Sequence, residues 1–202
     1  MEVEKCIQER RTIRLYKEKD VLWEKVSKIL EAANFAPSSG NLQNWVFIVI
    51  KDPKNIEKVA NCAFNQSFIV DAPVLIIICS KNEKIKRLYG ERGEFYGIQN
   101  CAMASQNLML KAHDFGLGTC YVGAFEEEKL KEGFNIPENI RPQGIITLGY
   151  PNESPNYKRQ DLDLCVFFEE YGNRVRNITT FPLKNLLNKK IRDIKTKRKL
   201  FN

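Results

Sequence analysis

Three arginines stand within five residues near the start of the chain, in Arg10-Arg11-Thr12-Ile13-Arg14. A solvated charge cluster is the bland reading of such a segment. The functional reading is anion recognition, because each guanidinium offers a rigid fork of donors that matches phosphate. Three further segments invite the same question. Ala36-Pro37-Ser38-Ser39-Gly40-Asn41-Leu42-Gln43-Asn44-Trp45 is dense in hydroxyls and amides. Gly116 to Phe125 places Gly123 and Ala124 after an apolar run, where small side chains leave backbone N–H groups open to a flat ligand. Pro142 to Pro151 reads alone as a buried strand and a turn.

Side chains suited to acid, base or nucleophilic chemistry are scarce. His113 is the single histidine, in a helical stretch where a partly buried surface role is the ordinary reading. There is no G-x-S-x-G and no partner for a triad. Gly116-Leu117-Gly118 lacks the third glycine of a dinucleotide fingerprint and follows a helix, not a strand. The six cysteines, at 6, 62, 79, 101, 120 and 165, show no metal-ligand spacing. Cys79, Cys120 and Cys165 sit in apolar runs and read as small hydrophobes. If the chain is an enzyme, a bound cofactor carries the reaction.

Charge gives little guidance once it is located. The net charge is +7, yet residues 184–202 hold eight Lys/Arg against Asp193 alone, which leaves 24 basic and 24 acidic groups in residues 1–183. The basic character belongs to a tail, so the arginine strip stands out against a neutral body. Leu183, Leu186, Leu187, Ile191 and Ile194 share one helical face of that tail. A helix packed on the body or a partner subunit is the leading reading, ahead of a membrane-surface helix, a nucleic-acid contact or disorder. No apolar run reaches the roughly 20 residues of a membrane span, and the chain reads as cytoplasmic. Two parts follow: residues 1–183 as the functional domain and 184–202 as a basic amphipathic tail.

The elements that must position these segments follow from periodicity. Residues 21–35 have helical apolar spacing with Asp20 as N-cap, and Trp45–Ile50 is a buried strand. Residues 54–64 form a helix before a polar turn at Asn65-Gln66-Ser67, and Val74–Cys79 is a second strand. A long helix covers 97–115, closed by Gly116, before a strand at 119–122. A helix at 126–133, a strand at 144–150, a polar loop at 152–160 and a strand at 164–168 complete the α/β or α+β pattern.

In order and spacing, the four segments resemble those of the FMN-dependent nitroreductase family. Tyr89-Gly90-Glu91-Arg92-Gly93-Glu94, running on through Gln106-Asn107-Leu108, is similar to that family's central helix. The resemblance covers roughly residues 5–168. It implies an α+β fold with a mixed central sheet flanked by helices, in an obligate homodimer with two FMN sites at the interface. Arg10, Arg11, Thr12 and Arg14 would hold the phosphate, ribityl chain and pyrimidine edge. Pro37, Ser38, Ser39 and Asn41, with Gln43, would reach the flavin from the partner subunit. Asn65 matches a position at the isoalloxazine edge, and Gly123 and Ala124 would aim backbone N–H groups at N5 and O4. Lys158 or Arg159 would close over the phosphate.

The implied activity is transfer of reducing equivalents from NADH or NADPH through FMN to a small acceptor, a nitroaromatic or quinone, by a ping-pong mechanism. Arg14 would stabilise negative charge near N1 and O2 of the reduced flavin. No nucleic-acid or membrane partner is favoured. Alternatives keep the fold for reductive dehalogenation or flavin destruction, or make the chain a flavin-binding protein whose basic tail binds nucleic acid or membrane. Two positions depart from the family pattern. Phe68 stands where some members have a lysine, leaving Arg14 as the lone cation, and Asn44 replaces a proline before Trp45, at an expected cost in loop rigidity only.

Overall fold

The computed structural model describes residues 1–173. It divides into two units, Met1–Asn156 and the stretch that begins at Tyr157. The tail at 184–202 lies outside the described residues, as does the stretch 174–183 of the expected functional domain.

In the first unit the chain runs α1 (Val3–Glu9), α2 (Trp23–Asn34), β1 (Trp45–Ile50), α3 (Pro53–Cys62), β2 (Val74–Lys81), α4 (Glu83–Tyr89), α5 (Arg92–Asp114), β3 (Gly118–Val122), α6 (Glu127–Phe134) and β4 (Ile140–Gly149). The sheet order is β1-β2-β4-β3. Every named strand pair is antiparallel, which corrects the expected mixed sheet. Parallel pairing among the described residues is confined to an isolated bridge, Thr12 to Thr119.

Alternation along β2 explains why its sequence is apolar without a break from Val74 to Cys79. Leu75, Ile77 and Cys79 face one core with Ile13, Tyr16, Val59, Leu130 and Ile145. Val74, Ile76 and Ile78 face a second core with Val26, Ile29, Ala104, Leu108 and Leu148. Side chains alternate across a strand, so a sheet covered on both faces demands apolar residues at every position. Helices α2 and α5 cover one face, and α3, α6 and the segment around Ile13–Tyr16 cover the other.

Several boundaries differ from expectation for local reasons. Leu22, not Asp20, precedes α2, and it makes no side-chain cap. β4 begins at Ile140, because a register shift opposite Ile78 and Cys79 absorbs Gln143 and lets Pro142 pair within the strand. Helix α5 begins at Arg92. Gly93 and Gly97 look like breakers but mark close packing. A Cβ on Gly93 would lie 2.7 Å from the Lys86 backbone, and one on Gly97 would strike Asn82. Residues 89–94 are therefore not one helix: Gly90, at φ +59°, separates α4 from α5.

In the second unit, residues 164–168 form no strand. A short 3-10 turn at Leu162–Leu164 is followed by irregular chain in which the Phe167 and Tyr171 rings lie 4.7 Å apart. Cys165, expected in an apolar environment, is exposed, while the other five cysteines are buried free thiols. No helix among the described residues is long and apolar enough to cross a membrane.

Candidate functional site

The arginine strip is a straight connector clamped on both sides. Helix α1 closes at Arg10, whose backbone N–H donates to Cys6 O at 3.1 Å. Ile13 N–H donates to Thr119 O at 2.9 Å, which joins the strip to β3. On the other flank, Glu153 Oε1 accepts from the backbone N–H groups of Arg14 (2.5 Å) and Leu15 (3.1 Å). Lys17 N–H donates to Tyr150 O and Asn152 N–H to Leu15 O, both at 2.9 Å. Ile13 and Tyr16 are buried, and Arg14 and Leu15 between them are exposed.

Tyr16 is the rivet beneath the strip. Its buried hydroxyl donates to Ile13 O at 2.6 Å and shares a 2.6 Å hydrogen bond with Thr147 Oγ1, which also accepts from Cys120 N–H at 3.1 Å. Burial pushes the phenol far above its ordinary pKa, so it stays protonated as a donor. Tyr16→Phe removes those bonds from the core. A loss of about 1–2 kcal/mol is expected, read as a fall of roughly 2–8 °C in the melting temperature.

The three arginines have different surroundings. Arg11 folds back, donating through Nη1 to Gln8 O (2.5 Å) and Arg10 O (3.0 Å). Arg14 lies over the Phe68 ring, with Cζ 5.4 Å from the centroid. It also lies beside the buried Cys120 thiol, where it opposes the rise that burial imposes on that group.

Asn65 is exposed in a tight turn where Phe64 and Asn65 both have positive φ. Asn65 N–H donates to Ala60 O at 2.9 Å. Gln66 Nε2 donates to Ala63 O (2.9 Å) and Ala124 O (3.2 Å), which ties this turn to the segment after β3. Gly123 and Ala124 are exposed, and a Cβ on Gly123 would meet only Tyr121 Cε1, at 3.8 Å. Arg14, Phe68, Asn65, Gly123 and Ala124 are thus brought together by contacts through Phe68 and Gln66.

The Pro37–Gln43 loop is held elsewhere. Ser39 donates from its backbone N–H (3.0 Å) and from Oγ (3.2 Å) to Asn100 Oδ1, midway along α5. Gln43 N–H donates to Ser38 Oγ at 3.0 Å, and Gln43 Nε2 donates to Asn41. Cys6, in α1, meets α5 at Leu110 O. Ile13 and Tyr16 of the strip pack into the core on one face of the sheet, whereas Asn100, which holds the loop, belongs to α5 over the other face. Within one chain the loop and the arginine strip are therefore anchored on opposite faces of the sheet. Lys158 and Arg159 are exposed and belong to the second unit.

Asn100 opens onto a ladder that the sequence did not reveal. It donates to Asn44 Oδ1 (2.8 Å), Asn44 donates to Asn82 Oδ1 (3.0 Å), and Asn82 donates to Glu94 Oε1 (3.2 Å). Lys86 pairs with Glu94 at 2.6 Å and holds its carboxyl below the usual range. Asn44, Asn82 and Asn100 are buried. The residue in the proline position is thus a structural strut, which corrects the expectation of lost rigidity alone. An asparagine in the midst of an apolar helix was the available signal at Asn100.

A cleft of about 690 Å³ lies apart from these groups, lined in part by Lys17, Lys19, Asp20, Lys51, Glu57 and Asp71. With Glu18 its lining carries three lysines against four carboxylates, and none of the site residues lines it. His113 is partly buried, with burial lowering its pKa, and its Nε2 has no hydrogen-bond partner.

A family model described as the nitroreductase family matches residues 7–66 and 56–150. The chain belongs to this family. A relative from Methanothermobacter thermautotrophicus, named as an NADH dehydrogenase/NAD(P)H nitroreductase, is 37% identical over 159 residues, covering 77% of this chain and 80% of its own. An FMN reductase [NAD(P)H] of Bacillus subtilis is 27% identical over 164 residues, covering 74% and 66%. Among solved structures, an FMN-dependent nitroreductase from Clostridium difficile superposes with a TM-score of 0.72 at 28% identity, covering 84% of this chain and all of the other. The hypothetical oxidoreductase YcnD of Bacillus subtilis gives 0.79 at 26% identity, covering 86% and 76%. The antiparallel sheet and its flanking helices are the nitroreductase-like α+β fold.

Proposed function

We propose that this chain is an NAD(P)H-dependent oxidoreductase that works through bound FMN and passes reducing equivalents to a small acceptor, a nitroaromatic or quinone. The observation that carries this reading is the convergence of Arg14, the Asn65 turn and the exposed Gly123-Ala124 backbone beside the clamped arginine strip. The donor set fits the cofactor: guanidinium groups for a phosphate, a cation and amide for the pyrimidine edge, and uncovered backbone where a flat ring must approach. FMN, when bound, supplies hydride acceptance and donation.

The protein's part is binding, orientation and electrostatics. Arg10 and Arg11 neutralise the phosphate, with Thr12 beside the ribityl chain. Arg14 stands at the pyrimidine edge, where its fixed positive charge favours the reduced flavin. Gly123 and Ala124 would offer backbone N–H groups to N5 and O4, and Asn65 would orient the ring edge. No protein acid is required by this reading.

A homodimer completes the reading. The separation of the Pro37–Gln43 loop from the strip supports a flavin held between two copies, with Pro37, Ser38, Ser39, Asn41 and Gln43 coming from the partner. Exposed apolar side chains give such a partner something to cover: Phe35 at 80% exposure, with Trp23, Phe95 and Ile98 on the α2 and α5 elements.

The test is anaerobic. FMN-loaded protein should bleach on NADH or NADPH and regain its visible absorbance when a nitroaromatic or quinone is added, with parallel double-reciprocal plots at varied acceptor. Bleaching without reoxidation by any member of the panel would reject the acceptor class, and intersecting plots would reject the ping-pong order.

A further inference from the structure

Arg14 carries its charge in an unusual setting. Among the described residues no carboxylate lies within ion-pair distance of its guanidinium. What it has is the Phe68 ring face at 5.4 Å and the Cys120 thiol alongside. Its backbone is fixed by Glu153, but that bond stops at the main chain and leaves the four side-chain torsions to the hydrogen-bonded Cys120 thiol and the Phe68 ring.

The ring is well placed to settle them. Phe68 sits in the 3-10 turn Ser67–Ile69, partly buried against the core, next to the fully buried Ile69. Gln66 ties the same turn to Ala63 and Ala124. An aromatic face attracts a guanidinium without neutralising it. A carboxylate here would hold Arg14 but cancel much of the charge that a ligand meets, and a lysine would repel it.

We infer that Phe68 is a positioning residue, whose ring holds the Arg14 guanidinium at the pyrimidine edge of the flavin with its charge intact. This rests on the site reading above and deepens it. One cation, steered by an aromatic ring, does the work that a pair of cations would otherwise share.

The experiment uses the FMN-loaded protein and compares Phe68→Leu, Phe68→Met and Phe68→Tyr with wild type, alone and in an Arg14→Ala background. Flavin midpoint potential is measured by dye equilibration, FMN affinity by fluorescence quenching, and flavin reduction by NADH in stopped flow. Removing the ring face in Leu or Met is expected to lower the potential and slow reduction about two- to fivefold, the exposed cation–π range. FMN affinity should fall by less than the rate does. Tyr, which keeps the face, should restore potential and rate, and in the Arg14→Ala background Leu and Met should add no further shift. Equal shifts with and without Arg14, an unchanged potential in both Leu and Met, or failure of Tyr to rescue would each overturn the inference. Should Arg14→Ala itself leave the potential unchanged, the site reading beneath the inference is what fails.

Discussion

Replacing Arg14 with alanine is expected to slow flavin reduction and lower the flavin potential more than it weakens FMN binding. The reason lies in where the charge is needed. In the proposed site Arg10 and Arg11 serve a phosphate whose charge does not change in the reaction, so they would contribute equally to both redox states. Arg14 is proposed to face the ring system, where negative charge appears on reduction, so its contribution would differ between the two states. A hydrogen bond to a charged group is worth about 1.5–3 kcal/mol. For a two-electron couple that corresponds to a fall of roughly 30–60 mV, while FMN affinity is expected to fall by less than about tenfold. Spectroelectrochemistry and a quenching titration on the same preparation read both quantities. An unchanged potential with a large loss of affinity would move Arg14 to the phosphate end of the site.

The second large effect concerns stability. Asn100→Leu should destabilise the fold by about 3 kcal/mol, because each buried polar group stripped of its partner costs roughly 1–3 kcal/mol. Asn100 is fully buried and serves Ser39 N–H, Ser39 Oγ and Asn44 Oδ1. Leucine matches its size but serves none of them. The loss should appear as a fall of roughly 6–12 °C in melting temperature. The Pro37–Gln43 loop should become more open to proteolysis, since its hold on α5 is gone. A melting temperature within about 2 °C of wild type would show that the ladder is not a strut.

The two predictions bear on different layers of legibility. β1 was readable to the residue, because Trp45–Ile50 is an unbroken run of aromatic and branched side chains between polar turns. β2 and the body of α5 were readable for the same reason: apolar content and period leave little choice. Helices α1 and α4 escaped notice because each buries a single residue, Cys6 and Ile85 respectively, and so carries almost no apolar period. The start of α5, expected at Gly97, lies at Arg92, and Gly93 and Gly97 mark close packing inside the helix. Residues 164–168 had the composition of a strand but pair with no strand among the described residues.

For the site, residue types were informative and their supports were not. Arg14, Asn65, Gly123 and Ala124 could be selected from motif order. The groups that hold them, Tyr16, Gln66, Phe68 and Glu153, act over separations of up to 139 residues that no local pattern records. The arginine strip itself is sharpened by this. It is a rigid connector, riveted by Tyr16 and Glu153, in which Arg11 rests on its own backbone and Arg14 rests on an aromatic ring.

Flavin uptake is the most direct test of the central claim. The purified protein, stripped of any carried cofactor and titrated with FMN, should quench flavin fluorescence to a stoichiometry of one FMN per chain. It should also take on a structured visible spectrum, and sediment as a dimer. Arg10→Ala combined with Arg11→Ala should weaken that uptake by about a hundredfold, the loss of two charge-assisted contacts. Protein that stays colourless and leaves FMN fluorescence unquenched would contradict the account.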